Sequence, residues 1–79
     1  MTQLAQQLKI SSRLHVFRAE RRISQEQLAK EVGVTRGTII AIEGGNYNPS
    51  LELAFRLAKF FKTEIEKIFS IEGVKNEEN

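Results

Sequence analysis

The sequence predicts an all-α domain of five short helices and no strand. Helix-start residues recur at Ser24, Thr35, Ser50 and Thr63, each just ahead of an apolar-periodic run. Gly33 stands where one such run ends, as a residue able to adopt the left-handed conformation that closes a helix. Ala54, Leu57, Ala58 and Phe61 fall at i, i+3, i+4 and i+7, the spacing of one buried helix face. A chain of 79 residues makes a single domain. At this size one core is marginal and partner subunits often help.

The elements follow in order. Residues 1–10 read as an N-terminal extension, residues 11–71 as the folded domain and residues 72–79 as a polar, disordered tail. The first helix is expected over about Ser12 to Arg21, capped by Ser11 or Ser12, with Leu14, Phe17 and Arg18 facing inward. Ser24 and Gln27 form a capping box that satisfies two orphan backbone donors, and Ile23 and Leu28 flank it as a hydrophobic staple. The second helix therefore starts at Gln25 and stops at Val32. Thr35 and the pair Val34 and Ile39 repeat the device, so a third helix begins at Arg36 after only a short turn. Ala29 leaves room for close crossing of this helix pair, which reads as a helix-turn-helix. Ile39 and Ile42 form the inward stripe of the third helix, leaving Arg36, Gly37, Ile40 and Ala41 outside. The loop GGNYNP holds the only proline and is plainly non-helical. Ser50 caps a fourth helix over about Leu51 to Phe61. Thr63 and Glu66 form a second capping box that starts a fifth helix over about Glu64 to Phe69.

Caps, staples and glycine stops also serve any αα-hairpin in a small bundle. Charge placement separates the readings. Net charge is only +2, yet residues 1–40 carry seven Lys/Arg against three Glu, and residues 41–79 carry five against seven. The basic half holds the helix pair, and no acidic residue precedes Glu43 in the third helix. Such asymmetry favours a polyanionic partner for one face.

Other functional classes fit poorly. The chain has no cysteine and no Asp, and His15 is its single histidine, which excludes a disulfide framework, a thiolate metal site and a His–Asp pair. Glu64 and Glu66 are two residues apart and share no helix face. Gly44 and Gly45 follow a helix instead of opening one, so no phosphate-cradling loop is present. Neither a membrane span nor a signal peptide is visible. The expectation is a cytoplasmic, non-enzymatic protein with no cofactor and no metal.

The run RAERRISQEQLAKEVGVTRGTIIAIEGGNYNPSLELAFRLAKFF, within a stretch from Ile10 to about Phe69, closely resembles the Cro/C1-type helix-turn-helix domain of phage repressors and small regulators, the XRE family. The resemblance implies a compact five-helix lambda-repressor-like domain that binds double-stranded DNA as a homodimer at a near-palindromic operator and regulates transcription. By position, it implies that Gln25 contacts a phosphate and braces the recognition helix, and that Arg36 opens that helix toward a base edge or a phosphate. Thr35, Gly37, Thr38, Ile40 and Ala41 lie along the groove face, where Ile40 could also be a packing residue. Asn46, Tyr47 and Asn48 sit in the loop that meets the DNA backbone. Arg18 and Glu43 match a structural ion pair, whereas Gly37 departs from the family, which commonly places a base-reading side chain there.

Arg36 supports this independently, because an Arg at a helix N-terminus opposes the macrodipole and gains nothing from folding. Phe55, Phe60, Phe69 and Ile71 are more apolar surface than one small core consumes, and with the family's C-terminal pairing they are expected at a dimer interface. The alternative is that they close the monomer's own core. An antitoxin with a toxin or other protein partner, or a restriction-modification controller, would use the same DNA-binding domain. A module that binds only proteins is the remaining class.

Overall fold

In the computed structural model, which describes residues 9–72, the element order is β1 (Ile10–Ser12), α1 (Leu14–Arg21), α2 (Gln25–Val32), α3 (Arg36–Glu43), α4 (Leu51–Phe61), α5 (Ile65–Ile68) and β2 (Phe69–Ile71). The extension before Lys9 and the tail after Glu72 lie outside the described residues.

The five helices appear where expected, and three of the predicted caps, Ser24, Thr35 and Ser50, form as read. Ser24 Oγ accepts from Gln27 N at 3.0 Å while Gln27 Oε1 accepts from Ser24 N at 2.8 Å, completing the capping box. Ser50 Oγ accepts from Leu53 N at 3.1 Å. Gly33 closes α2 in the left-handed region at φ 79°, and its N–H donates to the Ala29 carbonyl. At α1 neither serine is the cap: the helix starts at Leu14, Arg13 stands before it without a side-chain cap, and both serines belong to β1. Ser12 Oγ accepts from Leu14 N at 3.0 Å, whereas the Ser11 hydroxyl pairs with that of Ser70.

Two further expectations are corrected. The chain is not free of strands: β1 and β2 form an antiparallel ribbon in the register Ile10↔Ile71, Ser11↔Ser70 and Ser12↔Phe69. Ile10, assigned by sequence to the extension, therefore belongs to the fold, and Phe69 is strand instead of helix. The β-branched Ile10 and Ile71, partners at one end of the ribbon, favour extended backbone, but they are too far apart in the chain for local periodicity to reveal the pairing. The second correction concerns Thr63. Its N–H donates to the Ala58 carbonyl, so it completes the end of α4 beside Lys62, which is left-handed at φ 55°. Glu64 becomes the residue before α5, without a side-chain cap, and the expected Thr63–Glu66 box does not form.

The core lies between all five helices. Leu14, Leu28, Ile39, Ile42, Leu57 and Ile68 are fully buried, one or more from each helix. Burying an aliphatic side chain of this size stabilises by about 1.5–3 kcal/mol. Ala29 and Val32 join them, which lets α2 and α3 pack closely. The α4 stripe Ala54, Leu57, Ala58 and Phe61 is buried as its spacing dictates. The ribbon and the bond from Arg13 N to the Ile68 carbonyl, 2.8 Å, tie the start of the domain to its end.

Candidate nucleic-acid interface

Because Ile39 and Ile42 of α3 are committed to the core, its opposite side must face outward. That side begins with Arg36 and Gly37, both exposed, and continues with Ile40, 41% exposed. Ile40 is thus a surface residue and not a packed one. Ala41 is half-buried at the edge of the face. Arg36 makes no ion pair among the described residues. Its guanidinium remains free to donate through a planar fork suited to a base edge or a phosphate.

The first turn of α3 is braced by hydroxyls. Thr35 Oγ1 accepts from Thr38 N at 3.3 Å and lies 3.1 Å from Thr38 Oγ1. Thr35 is exposed and Thr38 half-buried, so the pair shapes the helix start and shows one hydroxyl at the surface. A methyl group built on Gly37 would meet only Thr35 Oγ1, at 3.8 Å. Space within the free protein therefore does not require glycine there.

A polar network beneath this face holds α1, α2 and α3 together. Arg18 donates from Nε to Glu43 Oε2 at 2.8 Å and from Nη2 to Glu43 Oε1 at 3.1 Å. Its Nη1 donates to the Ile23 carbonyl at 3.1 Å, and Gln25 Nε2 donates to Glu43 Oε1 at 3.1 Å. The Arg18 and Glu43 side chains are 22% and 10% exposed. Burial alone would push the Glu43 carboxyl up, but hydrogen bonds from Arg18 and Gln25, with the charges of Arg18 and His15, more than offset it. The carboxyl is held below its usual range. The bond to Glu43 raises Arg18 further above its ordinary value, against the opposing effect of burial. The carboxylate fixes one of the two N–H groups of the Gln25 amide and leaves the other for an external acceptor.

The loop after α3 turns at Gly45, φ 79°, and Asn46 N donates to the Ala41 carbonyl at 3.0 Å. Asn46, Tyr47 and Asn48 are all exposed. Tyr47 and Thr38 line one cleft of about 190 Å³ with Val34, Ser50 and Arg56, so the loop and the first turn of α3 form a continuous rim.

The four residues expected at a dimer interface separate into different environments. Phe55 and Ile71 are 56% and 42% exposed. Phe69 packs partly on the core and lines a cleft with Ile10, Leu51, Ala54 and Ile65. Phe60 is elsewhere: its ring meets Phe61 edge-on at 4.9 Å, lies under the Arg21 guanidinium at 5.1 Å and lines a cleft with Lys30 and Lys59. Leu51, 72% exposed, was missed by the sequence reading. Its signal was an i, i+4 apolar pair with Phe55 on the solvent side of α4.

Comparison with known proteins places this geometry. A family profile described as helix-turn-helix matches residues 14–68. An HTH-type transcriptional regulator of Methanocaldococcus jannaschii is 54% identical over 63 residues, covering 80% of this chain and 96% of that protein. The cryptic phage CTXphi transcriptional repressor RstR of Vibrio cholerae is 38% identical over 60 residues, 76% of this chain and 54% of the repressor. Among solved structures, the restriction-modification controller protein C.AhdI of Aeromonas hydrophila superposes with a TM-score of 0.64 at 33% identity, covering 70% of this chain and 80% of that one.

Proposed function

The chain belongs to the Cro/C1-type helix-turn-helix family of DNA-binding transcription regulators, and from that membership we propose that it reads a near-palindromic operator as a homodimer, laying α3 in the major groove. The observation that carries this reading is the outward face of α3, where Arg36, Gly37 and Ile40 stand exposed on a helix whose other side is core. Arg36 supplies a bidentate donor for guanine or a phosphate, and Ile40 an apolar contact for a thymine methyl. Gln25, Asn46, Tyr47 and Asn48 set register on the phosphate backbone, with Thr35, Thr38 and Ala41 along the rim. The Arg18–Glu43 pair orients α3 against α1 and contacts no DNA. In this account the protein is a cytoplasmic binder and not an enzyme. Among the described residues, no helix is long and apolar enough to cross a membrane.

The dimer face proposed is the solvent side of α4 with the ribbon, made of Leu51, Phe55, Phe69 and Ile71. Phe60 is left to the monomer. Pairing across a two-fold axis would set two recognition helices about 34 Å apart, one turn of DNA. Selection of binding sites from a random duplex pool tests the whole reading: two inverted half-sites at fixed spacing are expected, and recovery of no enriched sequence would refute it. A second reading is favoured by the likeness to a restriction-modification controller. It keeps the same DNA chemistry and predicts that the selected site also lies before a restriction or methyltransferase gene. A toxin-binding role would instead add a protein partner to the same chain.

A further inference from the structure

Arg56 is the residue that these roles leave unexplained. From α4 it donates through Nη1 to the Val32 carbonyl at 3.0 Å and through Nη2 to Glu52 Oε2 at 2.7 Å. Val32 is the last residue of α2, and its carbonyl is one of the groups a helix end leaves without an intrahelical partner. The backbone closes the preceding turn itself, since Gly33 N and Val34 N both donate to the Ala29 carbonyl at 2.9 Å. The Val32 carbonyl is closed by a side chain from another helix. Gly33 makes room for it. A methyl group built there would lie 2.9 Å from Arg56 Nη1, so glycine serves both the left-handed turn and the guanidinium.

The pair with Glu52 adds little to stability, because the Arg56 and Glu52 side chains are 51% and 74% exposed and an ion pair so open to water is weak, whereas the bond to the Val32 carbonyl is part-buried. What it supplies is direction. A planar fork held at two points defines an angle, which a single flexible contact does not. The bond to Glu52 lies within α4 and aims the guanidinium, and the bond to the Val32 carbonyl alone crosses to the turn that launches α3. Leu51 and Phe55, of the proposed dimer face, directly precede Glu52 and Arg56 respectively on that same helix.

We propose that Arg56 is a positioning residue that fixes the angle between α4 and the helix-turn-helix, and thereby the spacing between operator half-sites that the dimer accepts. The inference rests on the two-fold dimer proposed above. Site selection from a random duplex pool, run in parallel with the full wild-type chain, Arg56→Met and Glu52→Gln, tests it. Wild type should return one dominant spacer. Arg56→Met should return the same half-site sequence with that single-spacer preference lost, two or more lengths being enriched equally. Glu52→Gln, which keeps the Val32 bond, should broaden the spacer less. It also decides the matter if circular dichroism shows Arg56→Met unfolded. A spacer distribution unchanged from wild type would overturn the inference. So would an altered half-site sequence, which would make Arg56 a base reader, or an equal loss on all DNA, which would make it a phosphate contact. If the wild-type chain itself returned isolated half-sites, the dimer reading would fail first and the inference with it.

Discussion

Replacing Glu43 by alanine tests the network under the recognition helix most sharply. The substitution removes an acceptor of three hydrogen bonds, two from Arg18 and one from Gln25, and leaves the Arg18 side chain only 22% exposed. Breaking a buried pair by deleting one partner costs about 3–5 kcal/mol. Arg18 keeps its bond to the Ile23 carbonyl and is not wholly dry, so a cost of about 2–4 kcal/mol is expected. A domain of this size has roughly 3–9 kcal/mol in total. The variant should therefore melt about 10–30 °C lower and sit near the edge of folding. Removing both charges with Arg18→Met and Glu43→Leu should cost less than the sum of the single changes, since no orphan charge remains. pH supplies an independent check. The Glu43 carboxyl is depressed in the folded state, so its contribution is complete above the unfolded value of about 4.3 and is lost as pH falls through the folded value. Arg18 is raised from an already very high value and titrates nowhere in the accessible range. Wild type should thus lose stability below about pH 4.5 more steeply than Glu43→Gln. Thermal and urea unfolding of wild type, Glu43→Ala, Glu43→Gln, the single changes Arg18→Met and Glu43→Leu and their double, from pH 3 to 7, measures all of this. A Glu43→Ala cost under about 1 kcal/mol, with additive double substitution, would refute the reasoning.

Three further outcomes are expected. Gly37→Ala should stabilise the free protein by about 0.5–1 kcal/mol, because the new methyl group meets only an ordinary contact at 3.8 Å. It should weaken operator binding if the helix start approaches DNA closely, and unchanged affinity and base preference would defeat the close-approach idea. Arg36→Ala should cost about 1–3 kcal/mol of specific binding and relax preference at one base position, with fold stability unchanged or slightly raised. A uniform loss on every sequence would make Arg36 a phosphate contact. Leu51→Ser with Phe55→Ser should give folded monomers in sedimentation at micromolar concentration, with unfolding no longer dependent on protein concentration, since both residues are exposed in the monomer; a wild-type chain that is itself monomeric with and without DNA would remove the dimer.

What was legible in the sequence was local. The Ser24 capping box needs only residues three apart, and Gly33, Thr35 and Ser50 act within one turn, so the positions of α2, α3 and α4 follow from chemistry read over a few residues. The exposed face of α3 follows from the burial of Ile39 and Ile42 on its other side. The pairing of Ile10 with Ile71 and the reach of Arg56 to Val32 were not legible, because each joins residues far apart in the chain through geometry that only packing creates. Thr63 shows a local signal overridden: the left-handed Lys62 draws its N–H back to Ala58, and the cap is displaced. Grouping Phe60 with Phe55 overlooked helix geometry, for five residues on a helix separate them by about 140° and set them on different sides of α4.

The central claim is sequence-specific DNA binding, and its most direct measurement is the affinity of the chain for its selected operator and for random duplex, each titrated with salt. Binding to both should fall steeply as salt rises, by about a thousandfold or more between 50 and 200 mM if six or more phosphates are neutralised. The operator should stay about a thousandfold or more tighter at physiological salt. A salt-independent interaction, or equal affinity for operator and random duplex, would contradict the account.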